Sequence, residues 1–155
     1  MRLVLPYPIS ANRYWRHAVV GGNAVTFVSK EAKDYKRKVR IAAHEHGWRR
    51  PMMFRVGLVV ALHPRRPLDW EKRSARDPMN WDDTAQCLDL DNALKLLIDA
   101  LKGVAYKDDK QVWRIAAERR EPDELGARVV VDVEPIVRAA LEIVQPELFE
   151  DATCV

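Results

Sequence analysis

Asp89 and Asp91 stand two residues apart in the run Cys87-Leu88-Asp89-Leu90-Asp91-Asn92, with Lys95 one helical turn further on and an Asp108-Asp109 pair beyond the next glycine. Carboxylates crowded together repel and raise one another's pKa, so an arrangement of this kind calls for a compensating charge. A hard cation supplies it most simply: Mg²⁺ takes oxygen ligands, usually one or two carboxylates completed by waters and substrate phosphates. The segment reads as a metal-dependent phosphate site. The same residues also fit a plainer arrangement, a capping aspartate with an i,i+4 lysine partner on a solvated helix face, worth tenths of a kcal/mol.

Residues at i and i+2 share one face of extended chain and diverge on a helix. For Asp89 and Asp91 to meet one ion, the chain should stay extended from Leu88 to Asp91. A helix over 91–102 then follows, with Asp91 as N-cap, Leu94, Leu97, Ile98 and Leu101 on its buried side, and a stop at Gly103. The amides at its start favour anionic groups, whether carboxylate or phosphate. Lys95, Asp99 and Lys102 continue from Asp91 along one stripe, opposite the apolar one. Asp-x-Asp also occurs in sugar-nucleotide transferases and in haloacid-dehalogenase-type phosphatases. The phosphatase form follows a hydrophobic strand directly and carries Thr or Val two residues after its second aspartate. Here Thr84-Ala85-Gln86-Cys87 precedes and Ala93 follows, which sets that form aside.

At this length the chain reads as a single domain over 1–144, followed by a tail over 145–155. Leu3 to Leu5 reads as a first strand and Asn12 to His17 as part of a basic, aromatic loop. Residues 18–20 and 24–28 form a hairpin about a Gly21-Gly22-Asn23 turn. Ser29 caps a helix in which Ala32, Tyr35, Val39, Ala42 and His46 recur at three- and four-residue steps up to Gly47. A central strand covers 54–62. Residues 63–87 show no periodicity and read as a long loop or flap. Strands over 111–119 and 127–133 are expected to pair with each other, and 135–144 to form a short helix.

Composition is that of an ordinary globular protein, 48% hydrophobic and 32% charged with a net charge of +3. No run approaches membrane-spanning length, and Met1 to Pro6 is too short for a signal peptide, so a cytoplasmic setting is expected. Cys87 and Cys154 lack metal-ligand spacing and read as reduced thiols. Lys30 to Arg50 holds eight basic and three acidic residues. Lys33, Lys36, Arg37 and Arg40 form either a solvated helix face or a surface for a polyanion. His44 and His46 diverge on a helix and do not share an ion.

Taken together, Asp89-Leu90-Asp91-Asn92, Lys95, Asp99-Ala100-Leu101 and Asp108-Asp109-x-Gln111-Val112 resemble the signature of the RusA-type Holliday junction resolvases. The opening Leu5-Pro6-x-Pro8-x-Ser10-x-Asn12-Arg13-Tyr14 and the later Val28-Ser29-Lys30-Glu31-Ala32-x-x-Tyr35 are similar to that family as well, so the resemblance spans residues 3–134. It implies a small α+β domain, a mixed β-sheet with helices packed on it, forming a homodimer that nicks four-way DNA junctions symmetrically with Mg²⁺, or Mn²⁺ in its place, in DNA recombination and repair. By the same resemblance Asp89, Asp91 and Asp109 are metal-binding carboxylates and catalytic residues, Asp108 is a further ligand, and Lys95 is the catalytic lysine. Two other classes stay open: a branched-DNA-binding protein that does not cut, and a metal nuclease acting on flaps or forks.

Family members often reach the first catalytic aspartate through a short, arginine-rich connection. In this chain about twenty further residues follow Arg65-Arg66 before Asp89. Arg65, Arg66, Lys72, Arg73 and Arg76 restore basic contacts if that segment folds over the substrate. Trp70 and Trp81 either stack on exposed bases or anchor the loop to the core. Arg13 and Arg16 are further DNA contacts, beside Lys33, Lys36 and Arg37. At the tail, Gln145-Pro146-Glu147-Leu148-Phe149 resembles the short peptide by which bacterial replication proteins dock on the sliding clamp.

Overall fold

The computed structural model describes residues 1–137. Its strands are β1 (Arg2–Pro6), β2 (Trp15–Val20), β3 (Asn23–Val28), β4 (Val56–His63), β5 (Val112–Arg119) and β6 (Arg128–Pro135), and its helices are α1 (Lys30–Glu45), α2 (Trp70–Arg76) and α3 (Leu90–Leu101). The apolar β4 takes the interior of a four-stranded sheet in the order β1-β6-β4-β5, with β5 parallel to β4 and the other pairs antiparallel. Val56, Leu58, Val60 and Leu62 point to one side, and Val129, Val131 and Val133 of β6 and Leu3 and Leu5 of β1 join them there. α1 and α3 pack on that side and on each other. The opposite face carries Val4 and Val59 exposed to solvent. The fold is the expected α+β arrangement with a mixed sheet.

Local chemistry accounts for the boundaries. The buried Ser29 hydroxyl accepts the Ala32 amide at 3.1 Å, which starts α1 where its spacing predicts. Gly21 and Gly22, with φ of +58° and +83°, close the β2–β3 hairpin in a turn that only glycine adopts cheaply at both positions. That hairpin begins earlier than its apolar residues indicate: Trp15 to His17 belong to β2, and only Ala11–Arg13 form a turn of 3-10 helix.

Two further expectations are corrected. β5 and β6 do not pair with each other, because β4 lies between them and bonds to both. β4 and β6 are the most deeply buried strands, whereas β5 is an edge with most of its side chains exposed, so sequence order yields to burial. The segment 63–87 is not irregular throughout: it contains α2 and a 3-10 turn at Trp81–Thr84. Seven residues are too few to show a helical period, and here tertiary contacts hold them in place. Trp81 is buried, its indole N–H donating to Glu121 at 3.2 Å, and Trp70 packs against it with ring centroids 6.1 Å apart. Arg119 of β5 donates to the carbonyls of Asp82 and Ala85. Trp81 is thus an anchor and is unavailable for stacking on bases. The expected helix over 135–144 fails at its start, since Pro135 ends β6, and the rest of it lies outside the described residues with the tail. No helix among the described residues is long and apolar enough to cross a membrane.

Candidate active site

α3 starts at Leu90, and its N-cap lies two residues before the Asp91 that the extended Asp-x-Asp geometry predicts. Asp89, with φ −62° and ψ 139°, is the N-cap and Asp91 lies in the first turn. The apolar face explains the shift: Ala93, Leu96, Leu97, Ala100 and Leu101 are the residues buried against the sheet, one position out of step with a stripe built on Leu94 and Ile98, which are half-buried. The correction has a chemical consequence. The Asp89 side chain accepts no capping hydrogen bond from the helix amides, only one from the Asn92 side chain at 3.3 Å. Asp89 and Asp91 therefore both present exposed carboxylates at the positive end of α3.

Lys95 reaches back to Asp91 at 3.3 Å, with both side chains more than two thirds exposed. It also lines a cleft of about 430 Å³ between α3 and the chain entering β2, with Asn12, Tyr14, Trp15, Asn92 and Asp99. Asp99, two turns beyond Asp91, accepts from the Tyr14 hydroxyl and forms an ion pair with Lys36 of α1. Burial and the bond to Asp99 raise the Tyr14 pKa. Burial opposes protonation of Lys36, yet the hydrogen bonds to Asp99 and Tyr14 raise its pKa on balance. Asp99 was legible as a member of the stripe and of the family signature; its partners were not, because they come from 85 and 63 positions away.

Asp108 and Asp109 sit at the far end of α3, where Lys102 contacts their carboxylates at 3.2 and 3.4 Å. Asp108 caps the 3-10 turn Asp109–Gln111, and Gln111 returns a side-chain bond to the Asp108 amide. The Lys110 amide, Asp109 and Lys102 together hold the Asp108 pKa down to about 2. Eleven residues at about 1.5 Å rise put Lys102 about 16 Å along the helix axis from Asp91. Among the described residues no three acidic, histidine or cysteine side chains gather into one metal-holding group. The structure brings Asp91 to Lys95 and Asp108 and Asp109 to Lys102, and leaves these as two groups. The donor set at the α3 start nevertheless suits Mg²⁺, which commonly takes only one or two carboxylates and completes its shell with water and phosphate oxygens.

The basic residues expected at DNA are largely tied to acids in the free chain. Arg13 bonds Glu31 at 2.8 Å with Arg16 at 3.9 Å from the same carboxylate, Arg37 meets Asp34 at 3.4 Å, and Lys36 is held by Asp99. Lys33 is exposed on α1. Arg66 lies over the Trp70 ring at 4.5 Å, and Arg65 and Arg66 line a second cleft beside Cys87 and Leu88.

No curated protein sequence matches the chain. The family model described as endodeoxyribonuclease RusA matches residues 6–134, which include the α3 carboxylates, Lys95, the Asp108-Asp109 pair and the 63–87 segment. The chain belongs to the RusA endodeoxyribonuclease family.

Proposed function

We propose that this endodeoxyribonuclease resolves four-way DNA junctions by paired symmetric nicks, in recombination and repair, with Mg²⁺ held at Asp89 and Asp91. The observation that carries this reading is the pair of exposed carboxylates at the α3 N-terminus, neither consumed by capping, with Lys95 one turn on at the edge of an open cleft. The bound cation supplies an activated water and a sink for charge developing on the phosphate. Asp109, with Asp108 beside it, is the further ligand that the family signature adds; Lys102 contacts both in the free chain. Lys95 is an exposed point charge that swings from Asp91 to the scissile phosphate and offsets charge on the departing oxygen. The α3 amides favour the same phosphate. Trp15, half exposed at the cleft rim, gives a flat surface to the DNA; Lys33 contacts its backbone, and Lys36, Arg13, Arg16 and Arg37 join it once released from their acids.

A two-fold junction calls for two related sites, so the acting form is a symmetric homodimer. The β2–β3 hairpin supports this, since it bonds to no other strand among the described residues and exposes Val19, Val20, Val25 and Phe27. An isolated two-stranded ribbon is marginal in water and gains from burial against a partner. Incubation with labelled four-way junction, flap and duplex DNA, in Mg²⁺ and in EDTA, tests the reading. Paired nicks in the junction alone are expected. Equal cutting of flaps or forks turns the chain into a broader metal nuclease, and binding without cutting turns it into a junction-binding protein. Sedimentation of the wild type and of Phe27→Ser tests the dimer.

A further inference from the structure

A second cleft, which Lys95 does not line, lies among the described residues beside the chain that leads into Asp89. It encloses about 550 Å³ between the 63–87 segment and Tyr7, Cys87 and Leu88. Three arginines line it, Arg65, Arg66 and Arg73, and no acidic residue does. Their situations differ. Arg73 is a brace: its guanidinium bonds Asp69 at 2.9 Å and the Thr84 carbonyl and hydroxyl at 2.9 Å. Arg65 is exposed and forms no ion pair among the described residues, and the buried Nε of Arg66 has no hydrogen-bond partner there. An unpartnered donor in a site walled by positive charge points to an anion.

The walls are as informative as the charge. Pro67, Leu68, Leu88 and Ala127 give apolar surface, Leu68 being almost fully exposed, and Gln86 adds an amide. Tyr7 fixes the floor, its hydroxyl accepting the Leu88 amide at 3.0 Å and meeting the Cys87 sulfur at 3.4 Å. A volume of this order holds a small organic ligand. We propose that this cleft is a nucleotide subsite, in which Arg65 and Arg66 take a phosphate and the Leu68 and Tyr7–Leu88 walls take a flat base. It rests on the DNA-cutting reading and deepens it: because Leu88 immediately precedes Asp89, a nucleotide seated here belongs to strand running towards the carboxylates. The 63–87 segment then supplies the basic approach that the Cys87-Leu88 sequence lacks.

The test uses the full chain in EDTA, a fluorescein-labelled single-stranded decamer read by anisotropy, and unlabelled dAMP and inorganic phosphate as competitors. Joint replacement Arg65→Ala and Arg66→Ala weakens the decamer about tenfold or more, the worth of one charge-assisted bond to phosphate. It also lowers the slope of log affinity against log salt by about 0.7 for each phosphate that the protein no longer neutralises. Leu68→Ala weakens binding without changing that slope, and since this side chain is exposed, the fold is unaffected. Arg65→Glu repeats the charge test at an exposed position if removing Arg66 from the Trp70 ring unfolds the double variant. Displacement by dAMP assigns the site to free nucleotide as well as strand, displacement by neither competitor assigns it to strand alone, and equal displacement by phosphate removes the base half of the proposal. Junction cutting in Mg²⁺ is measured in parallel. Unchanged affinity and slope in Arg65→Glu, with cutting intact in the wild type, overturns the subsite alone. Absent cutting with arginine-dependent decamer binding overturns the nuclease reading and leaves the subsite standing.

Discussion

Asp91→Asn separates chemistry from folding at the α3 start. Asp91 and Lys95 are 3.3 Å apart with side chains 69% and 68% exposed. An exposed i,i+4 pair is worth about 0.3–0.5 kcal/mol. A negative charge in the first turn adds about 0.3–1 kcal/mol through the helix dipole. The amide keeps the side-chain shape, so the total loss of stability stays below about 1.5 kcal/mol. Loss of a carboxylate ligand removes several kcal/mol of transition-state stabilisation in the proposed mechanism, and about 4 kcal/mol corresponds to about a thousandfold in rate. Urea denaturation measures the first quantity and nicking of a labelled junction in Mg²⁺ the second, with a gel shift in EDTA to verify that binding persists. Undiminished Mg²⁺-dependent cutting by the variant refutes the assignment. A destabilisation of about 3 kcal/mol or more, set against the about 1.5 expected, shows instead that Asp91 is structural.

Asp99→Asn removes the Lys36 ion pair and weakens the Tyr14 bond, both partly exposed, and costs about 1 kcal/mol by urea denaturation. Trp81→Ala opens a cavity and strands Glu121, and a loss of about 3–5 kcal/mol is expected, with faster hydrogen exchange across α2 as the direct readout. Asp123, whose pKa the Arg128 fork holds down to about 2, contributes stability that is complete above its unfolded pKa and is lost as pH falls through about 2. Asp123→Asn should flatten the acid limb of an unfolding titration between about pH 4 and about pH 2 while Arg128 stays charged. For the tail, pull-down by the bacterial sliding clamp should be lost when Leu148 and Phe149 become alanine, and a wild type that is not captured ends that proposal.

What could be read from the sequence was local. The Ser29 cap, the Gly21-Gly22 turn and the Asp91–Lys95 pair each depend on residues within a turn or two, and each is where its spacing places it; the α1 period holds for Ala32, Tyr35 and Val39, while the last turn buries Ala43 in place of Ala42 and leaves His46 exposed. Pairing of strands is not local: β5 and β6 are neighbours in sequence, but β4 competes for both and offers more apolar burial. The buried face of α3 is turned by one position because Ala93 and Ala100 are buried in place of the larger Leu94 and Ile98, and alanine gives little sign of which face it takes. The 63–87 segment hid its structure because its order depends on Trp81 reaching Glu121 and Arg119 reaching back to Asp82, contacts 40 and 37 residues apart. At the site, the carboxylates and Lys95 were legible, while the Tyr14–Asp99–Lys36 triad and the acid-free arginine cleft were created by the fold.

One pattern joins these observations into a mechanism of assembly. Most acids along α3 and just beyond it meet a lysine: Asp91 meets Lys95, Asp99 meets Lys36, and Asp108 and Asp109 share Lys102, whereas Asp89 bonds the Asn92 amide. The lysines therefore offset part of the acidic charge in the free chain, and Asp89 stays open to a cation. In the proposed reaction the two ligands relieve this together. A lysine drawn to DNA phosphate leaves its carboxylate uncompensated, which raises the affinity of that carboxylate for a cation. A cation bound to the carboxylate frees the lysine for phosphate. Coupling of this kind is reciprocal, so Mg²⁺ tightens the junction by the same factor that the junction tightens Mg²⁺. Replacing Lys95 with alanine breaks that exchange at Asp91: metal binding by the free chain strengthens as the competing ammonium disappears, while cutting falls because no cation reaches the leaving oxygen.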